Sequence, residues 1–158
     1  MAKTGYSALT PAPVSLVANT AKSVLGVLAP SSFGLDLKKI RVGLYGTSTG
    51  VPGDIELCSA TFATSPPAAS MAYATAVTPQ QIYGRAISAG FLAAAGWTTE
   101  PTQLTVIDAF PLSPNGGLVH YDIPLGDTPD CAPGTGFVLR AKFAAAVNIS
   151  ASLWLERA

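Results

Sequence analysis

Between Gly136 and Glu156 the sequence reads Phe137-Val138-Leu139-Arg140-Ala141-Lys142-Phe143, three alanines, then Val147-Asn148-Ile149-Ser150-Ala151-Ser152-Leu153-Trp154-Leu155-Glu156. In the second run Val147, Ile149, Ala151, Leu153 and Leu155 recur at every second position. Asn148, Ser150, Ser152 and Glu156 fill the gaps, and Trp154 is the one large exception. Period two places successive side chains on opposite faces of a sheet. A helix would scatter the same residues around its cylinder. In the first run Phe137, Leu139, Ala141 and Phe143 alternate with Val138, Arg140 and Lys142. Only Ala144, Ala145 and Ala146 separate the runs, so the spacing predicts a β-hairpin, without the Asn-Gly or Asp-Gly of the tightest turns. One apolar face of that unit needs a second sheet to cover it.

Working outward, the same alternation recurs along the chain. Leu35 to Tyr45 sets Ile40, Val42 and Leu44 against Lys39, Arg41 and Tyr45. Strands are also expected at Val14–Ala18, Ala21–Ala29, Asp54–Phe62, Gln103–Leu112 and Leu118–Leu125, with a short one near Tyr73–Thr78. Ser113-Pro114-Asn115-Gly116-Gly117 reads as a turn, because Asn and Gly tolerate positive φ. Ser65–Ala76 reads as a long surface loop, with Pro66 and Pro67 blocking any sustained helix. Gln80–Gly96 is ambiguous and admits a short helix. Residues 1–13 read as an extended N-terminal arm, with Pro11 and Pro13 keeping it from folding back. Residues 14–158 then form one domain, an all-β, jelly-roll-like antiparallel β-sandwich of about eight or nine strands.

Composition narrows the function classes. The chain has 158 residues, 9 basic and 9 acidic, and only 11 % charged side chains. Soluble domains average roughly 25 % charged. Mean hydropathy is +0.39, yet no apolar run reaches the ~18 residues of a membrane span. No apolar run follows Lys3, so no signal peptide is expected. Zero net charge and no basic cluster argue against nucleic acid as a partner. An under-charged surface is expected where much of it meets other protein subunits.

No constellation carries chemistry, so no catalytic, cofactor or metal residues are assigned. Gly46–Gly53 lacks the Lys-Ser or Lys-Thr that completes a phosphate loop. No serine sits in a Gly-x-Ser-x-Gly elbow. His120, the only histidine, is flanked by Val119 and Tyr121 and reads as a structural strand residue. Asp122, Asp127 and Asp130 match no calcium-loop spacing and read as a solvated loop. Cys58 and Cys131 form no metal pattern and are expected to be free thiols. The candidate contact residues are Tyr6, Leu9, Pro11, Pro13, Tyr73, Tyr83 and Trp97.

His120-Tyr121-Asp122-Ile123-Pro124-Leu125-Gly126 follows Pro114-Asn115-Gly116-Gly117. It precedes Phe137-Val138-Leu139-Arg140, Val147-Asn148 and Trp154-Leu155-Glu156. With the early Val14-Ser15-Leu16-Val17-Ala18, these segments resemble small proteins encoded in the structural modules of tailed bacteriophages and prophages. The resemblance covers the beginning and last third of the chain, and Phe62 to Glu100 has no counterpart. It implies a head decoration (cement) protein, assembled in the host cytoplasm and placed on the capsid surface of the virion. Its partners would be the major capsid protein and copies of itself, as a trimer, with no enzyme activity, cofactor, nucleic acid or membrane. The alternative is a jelly-roll module of a tail or fibre that binds a host carbohydrate or receptor. Aromatics gathered in one concave patch would favour that alternative; apolar surface spread over subunit contacts would favour decoration.

Overall fold

The computed structural model describes residues 4–45, 50–62, 71–115 and 118–158. In chain order the strands are β1 (Gly5–Leu9), β2 (Val14–Leu16), β3 (Lys22–Leu28), β4 (Leu35–Tyr45), β5 (Gly53–Ala60), β6 (Thr75–Val77) and β7 (Gln80–Tyr83). They continue as β8 (Leu92–Ala95), β9 (Leu104–Leu112), β10 (Leu118–Asp122), β11 (Asp130–Cys131), β12 (Gly136–Lys142) and β13 (Val147–Arg157). One sheet runs β10-β4-β13-β1-β7, with β11 beside β4 and β2 beside β13. The other runs β6-β8-β3-β12-β5-β9. Every ladder is antiparallel. The all-β sandwich expected from the alternation is what forms. The thirteen strands exceed the expected number because short edge and end segments also pair.

The interior lies between the two sheets. Ile149, Ala151, Leu153 and Leu155 of β13 and Leu37, Ile40 and Val42 of β4 meet Phe137, Leu139 and Ala141 of β12 and Ile55 and Leu57 of β5. Fully burying each large aliphatic side chain contributes roughly 1.5–3 kcal/mol. A smaller cluster lies on the outer side of the six-stranded sheet. There Cys58, Ala60 and Val138 pack against Phe62 and Leu104, and Trp97 stacks on Phe62 with centroids 6.3 Å apart.

Two expectations are corrected. The expected hairpin is not one: β12 pairs with β3 and β5, whereas β13 pairs with β4 and β1. The alanine connection crosses from one sheet to the other, and the two apolar faces pack against each other through the interior. Alternation fixes which face is buried but not which strand lies alongside. The N-terminal segment is not a free arm either. β1 lies inside the seven-stranded sheet between β13 and β7. Tyr6 is 1 % exposed, meets Phe91 edge-on at 5.7 Å and donates from its hydroxyl to the Ile87 carbonyl at 2.9 Å. One large aromatic on the correct phase is enough to hold a five-residue strand, and the sparse apolar content of 1–13 concealed it. Pro11 and Pro13 mark the gap between β1 and β2. There the Thr10 hydroxyl accepts from the Ala151 backbone N–H at 3.1 Å, and the Thr10 N–H donates to the Ala151 carbonyl at 3.0 Å.

Gln80–Gly96 holds β7 and β8 and no helix. Arg157 fastens the segment between them, donating to the carbonyls of Ser88 and Ala89 with its guanidinium 4.4 Å from the Phe33 ring. Parts of the loops expected at Gly46–Gly53, Ser65–Ala76 and Ser113–Gly117 lie outside the described residues. Among the described residues no helix is long and apolar enough to cross a membrane.

Candidate interaction surfaces

The outer face of the seven-stranded sheet carries much of the charge. On β4 the residues between Leu35, Leu37, Ile40 and Val42 point outward, and the bulge opposite Trp154/Leu155 adds Lys38 to them. Across this face Trp154 stands between Ser7 and Lys39, Ser152 between Leu9 and Arg41, and Ser150 opposite Gly43. The register with β10 sets Lys39 opposite Asp122, Arg41 opposite His120 and Gly43 opposite Leu118. The Lys39 ammonium and the Arg41 guanidinium both sit over the Trp154 ring, 4.5 and 4.7 Å from its centroid. Such contacts are worth about 0.5–1 kcal/mol at exposed sites. Asp122 accepts from Lys39 at 2.7 Å and lies 3.0 Å from His120 Nε2. The Lys39 hydrogen bond, above all, holds the Asp122 carboxyl below the usual carboxylate range.

Arg41 differs from Lys39. Its Nε is buried and donates to no acceptor, and among the described residues no carboxylate lies in ion-pair reach of it. A buried donor left unpaired costs about 1–3 kcal/mol. Beside it Leu9, Gly43, Leu118, Ser150 and Ser152 line a shallow depression of about 240 Å³.

Farther along the same face, Glu156 is almost fully buried. Tyr83 donates its phenol proton to Glu156 Oε1 at 2.5 Å, and Lys38 lies 3.5 Å from Oε2. Burial and, next, the Glu156 hydrogen bond push the Tyr83 phenol up to about 12.

The two flanks of the sandwich are more apolar. On one, the edge strands β9 and β10 border two adjoining hollows of about 250 and 290 Å³. Phe110, Val119 and Tyr121 line the first, and Ile107, Tyr121 and Ile123 the second. β9 carries a register shift at Ile107, an aspartate, Asp108, opposite inward-facing Leu57, and Pro111. Each of these hinders open-ended pairing of further strands along the edge. On the other flank, short β6 and β7 leave a hollow of about 490 Å³ bordered by Tyr6, Pro79, Ile87 and Leu92.

The candidate contact residues divide accordingly. Trp97 is 1 % exposed and, with Tyr6, is enclosed within the chain, so both are withdrawn as surface contacts. Leu9, Pro11, Pro13 and Tyr83 are exposed, and Tyr73 is half-buried. They are not brought together. Leu9 lies beside Arg41, Pro11 and Pro13 border a hollow with Lys22 and Gly96, and Tyr83 is at the β7 edge. Arg41, Lys39 and Trp154 were not singled out from the sequence. The sign of them was Trp154 itself, an aromatic on the polar phase of β13. Cys58 and Cys131 are free and buried. No known protein-family model matches the chain, and no curated protein or solved structure is significantly similar to it.

Proposed function

We propose that the chain is a structural virion component: a decoration protein that binds the major capsid protein on the outer surface of a tailed-phage head, as a trimer. The observation that carries this reading is how the exposed apolar side chains are distributed. Ile82, Tyr83, Ile87 and Leu92 lie on the β6–β7 flank, and Val106, Ile107, Leu118 and Tyr121 on the β9–β10 flank. Tyr45, Tyr83 and Tyr121, the exposed aromatics, lie on three different strands. A sugar platform needs its aromatics together, so the carbohydrate-binding alternative has less support. Apolar patches on two opposite flanks suit a subunit with a neighbour on each side. The resemblance to phage structural proteins supplies the shell on which such copies would assemble. The jelly-roll winding belongs to the same proposal. It is supported by β4 and β5, and β12 and β13, which are consecutive in the chain but lie in opposite sheets.

The test is binding to purified heads of the encoding phage or prophage stripped of this protein. Saturable co-sedimentation with heads, together with a trimer in sedimentation velocity at micromolar concentration, is expected. A protein that stays monomeric and remains in the supernatant would overturn the reading.

A further inference from the structure

We infer that the depression beside Arg41 on the outer face of the seven-stranded sheet binds a carboxylate carried on a short aliphatic stem. Three observations converge on it. Arg41 is held by its stacking over Trp154 at 4.7 Å, so its donor fork is pre-oriented rather than free to swing. Its Nε is buried without an acceptor, while the neighbouring cation, Lys39, already has Asp122 at 2.7 Å. A planar guanidinium with an unused inner donor matches the paired oxygens of a carboxylate. The third observation is shape. Leu9 and Leu118, 45 % and 66 % exposed, wall a floor made of Gly43, Ser150 and Ser152. A Cβ built on Gly43 would meet only Leu118 Cδ1, at 3.9 Å, so the missing side chain leaves real space there. Apolar walls beside one unsatisfied cationic donor select an acid with an aliphatic group attached, rather than a bare inorganic anion.

Such a group can come as a free small acid or as the aliphatic C-terminal residue of a peptide. The probes are isovalerate, N-acetyl-Gly-Leu and its C-terminal amide, titrated into the folded ¹⁵N-labelled protein. The Arg41 Nε–H and Trp154 indole resonances are the readout. Both carboxylates that fit should shift them saturably, with acetate and the amide at least about tenfold weaker. Tighter binding of the dipeptide identifies a chain terminus as the source; entry of isovalerate alone identifies a free acid. Arg41→Gln should abolish the response. Gly43→Val fills the floor without touching Arg41, so it should keep the fold and lose binding. The inference is overturned if neither acid moves the Arg41 resonance at up to about 50 mM. It is also overturned if the amide binds as well as the acid, or if Gly43→Val binds unchanged. None of these outcomes depends on capsid attachment.

Discussion

The two tryptophans stand on opposite outer faces and have opposite surroundings. Trp97 covers Gly26 of β3, and a Cβ at that glycine would come within 2.7 Å of the indole. Gly26→Ala must therefore lift Trp97 from the sheet and open its stack with Phe62. Overpacking of this kind costs typically about 1–3 kcal/mol. A lowered denaturation midpoint with a red-shifted tryptophan emission is expected; an unchanged spectrum would show that the ring does not rest there. At Tyr83 the phenol, raised to about 12 in the fold, compares with about 10 in an unfolded chain. A raised value means that the neutral, hydrogen-bonded phenol stabilises the fold below about pH 10. That contribution disappears as pH climbs through about 12. The stability lead of the native protein over Tyr83→Phe should thus shrink between about pH 9 and pH 12, measured by paired thermal melts. A lead that grows over this range would contradict the hydrogen bond to Glu156.

Among the elements, β1 has the largest consequence. It bridges β13 and β7, so removing Met1 to Thr10 exposes one edge of β13 and detaches β7. Loss of a cooperative melt is expected, as is a cost of about 3–5 kcal/mol for Tyr6→Ala alone. That is a large share of the roughly 5–15 kcal/mol that holds a domain together. A truncated protein melting within a few degrees of the full chain would restore the arm. The long strands were legible because a period of two over seven to eleven residues leaves little choice of face. β4 was placed from Leu35 to Tyr45, as observed. Partners were less legible. The ladder of β12 with β3 and β5 spans distant sequence, and only the lack of tight-turn residues after Phe143 hinted that the pair was not a hairpin. β7 escaped because all four of its residues are exposed, so no burial pattern marks it. The Arg41 surface was half legible. Lys39 and Arg41 were placed opposite Ile40 and Val42, but their meeting with Trp154 depends on which strand neighbours β4.

At the scale of the whole molecule, surface and charge disagree in a useful way. The accessible area is 7598 Å², close to the roughly 7,400 Å² that scaling gives for a monomer of this mass. An ordinary area with 11 % charged residues means that neutral and apolar groups cover much of it. The charges also cluster: Asp36, Lys38, Lys39, Arg41, Asp122 and Glu156 share one outer face. That leaves the flanks as the natural contact surfaces. A closed trimer is built from heterologous contacts, in which two different patches meet at each interface. The β9–β10 and β6–β7 flanks are two such patches on opposite sides of the sandwich. Ile107→Lys on the first and Leu92→Lys on the second alter side chains that are 45 % and 61 % exposed, so each variant should fold. Each should also sediment as a monomer, because every interface in the ring uses both flanks. Mixed together, the two variants retain one sound flank apiece, the β6–β7 flank on Ile107→Lys and the β9–β10 flank on Leu92→Lys. They should form heterodimers that cannot close into a ring. Trimers that persist in either variant alone would exclude these flanks. If neither heals the other in the mixture, the head-to-tail arrangement is wrong.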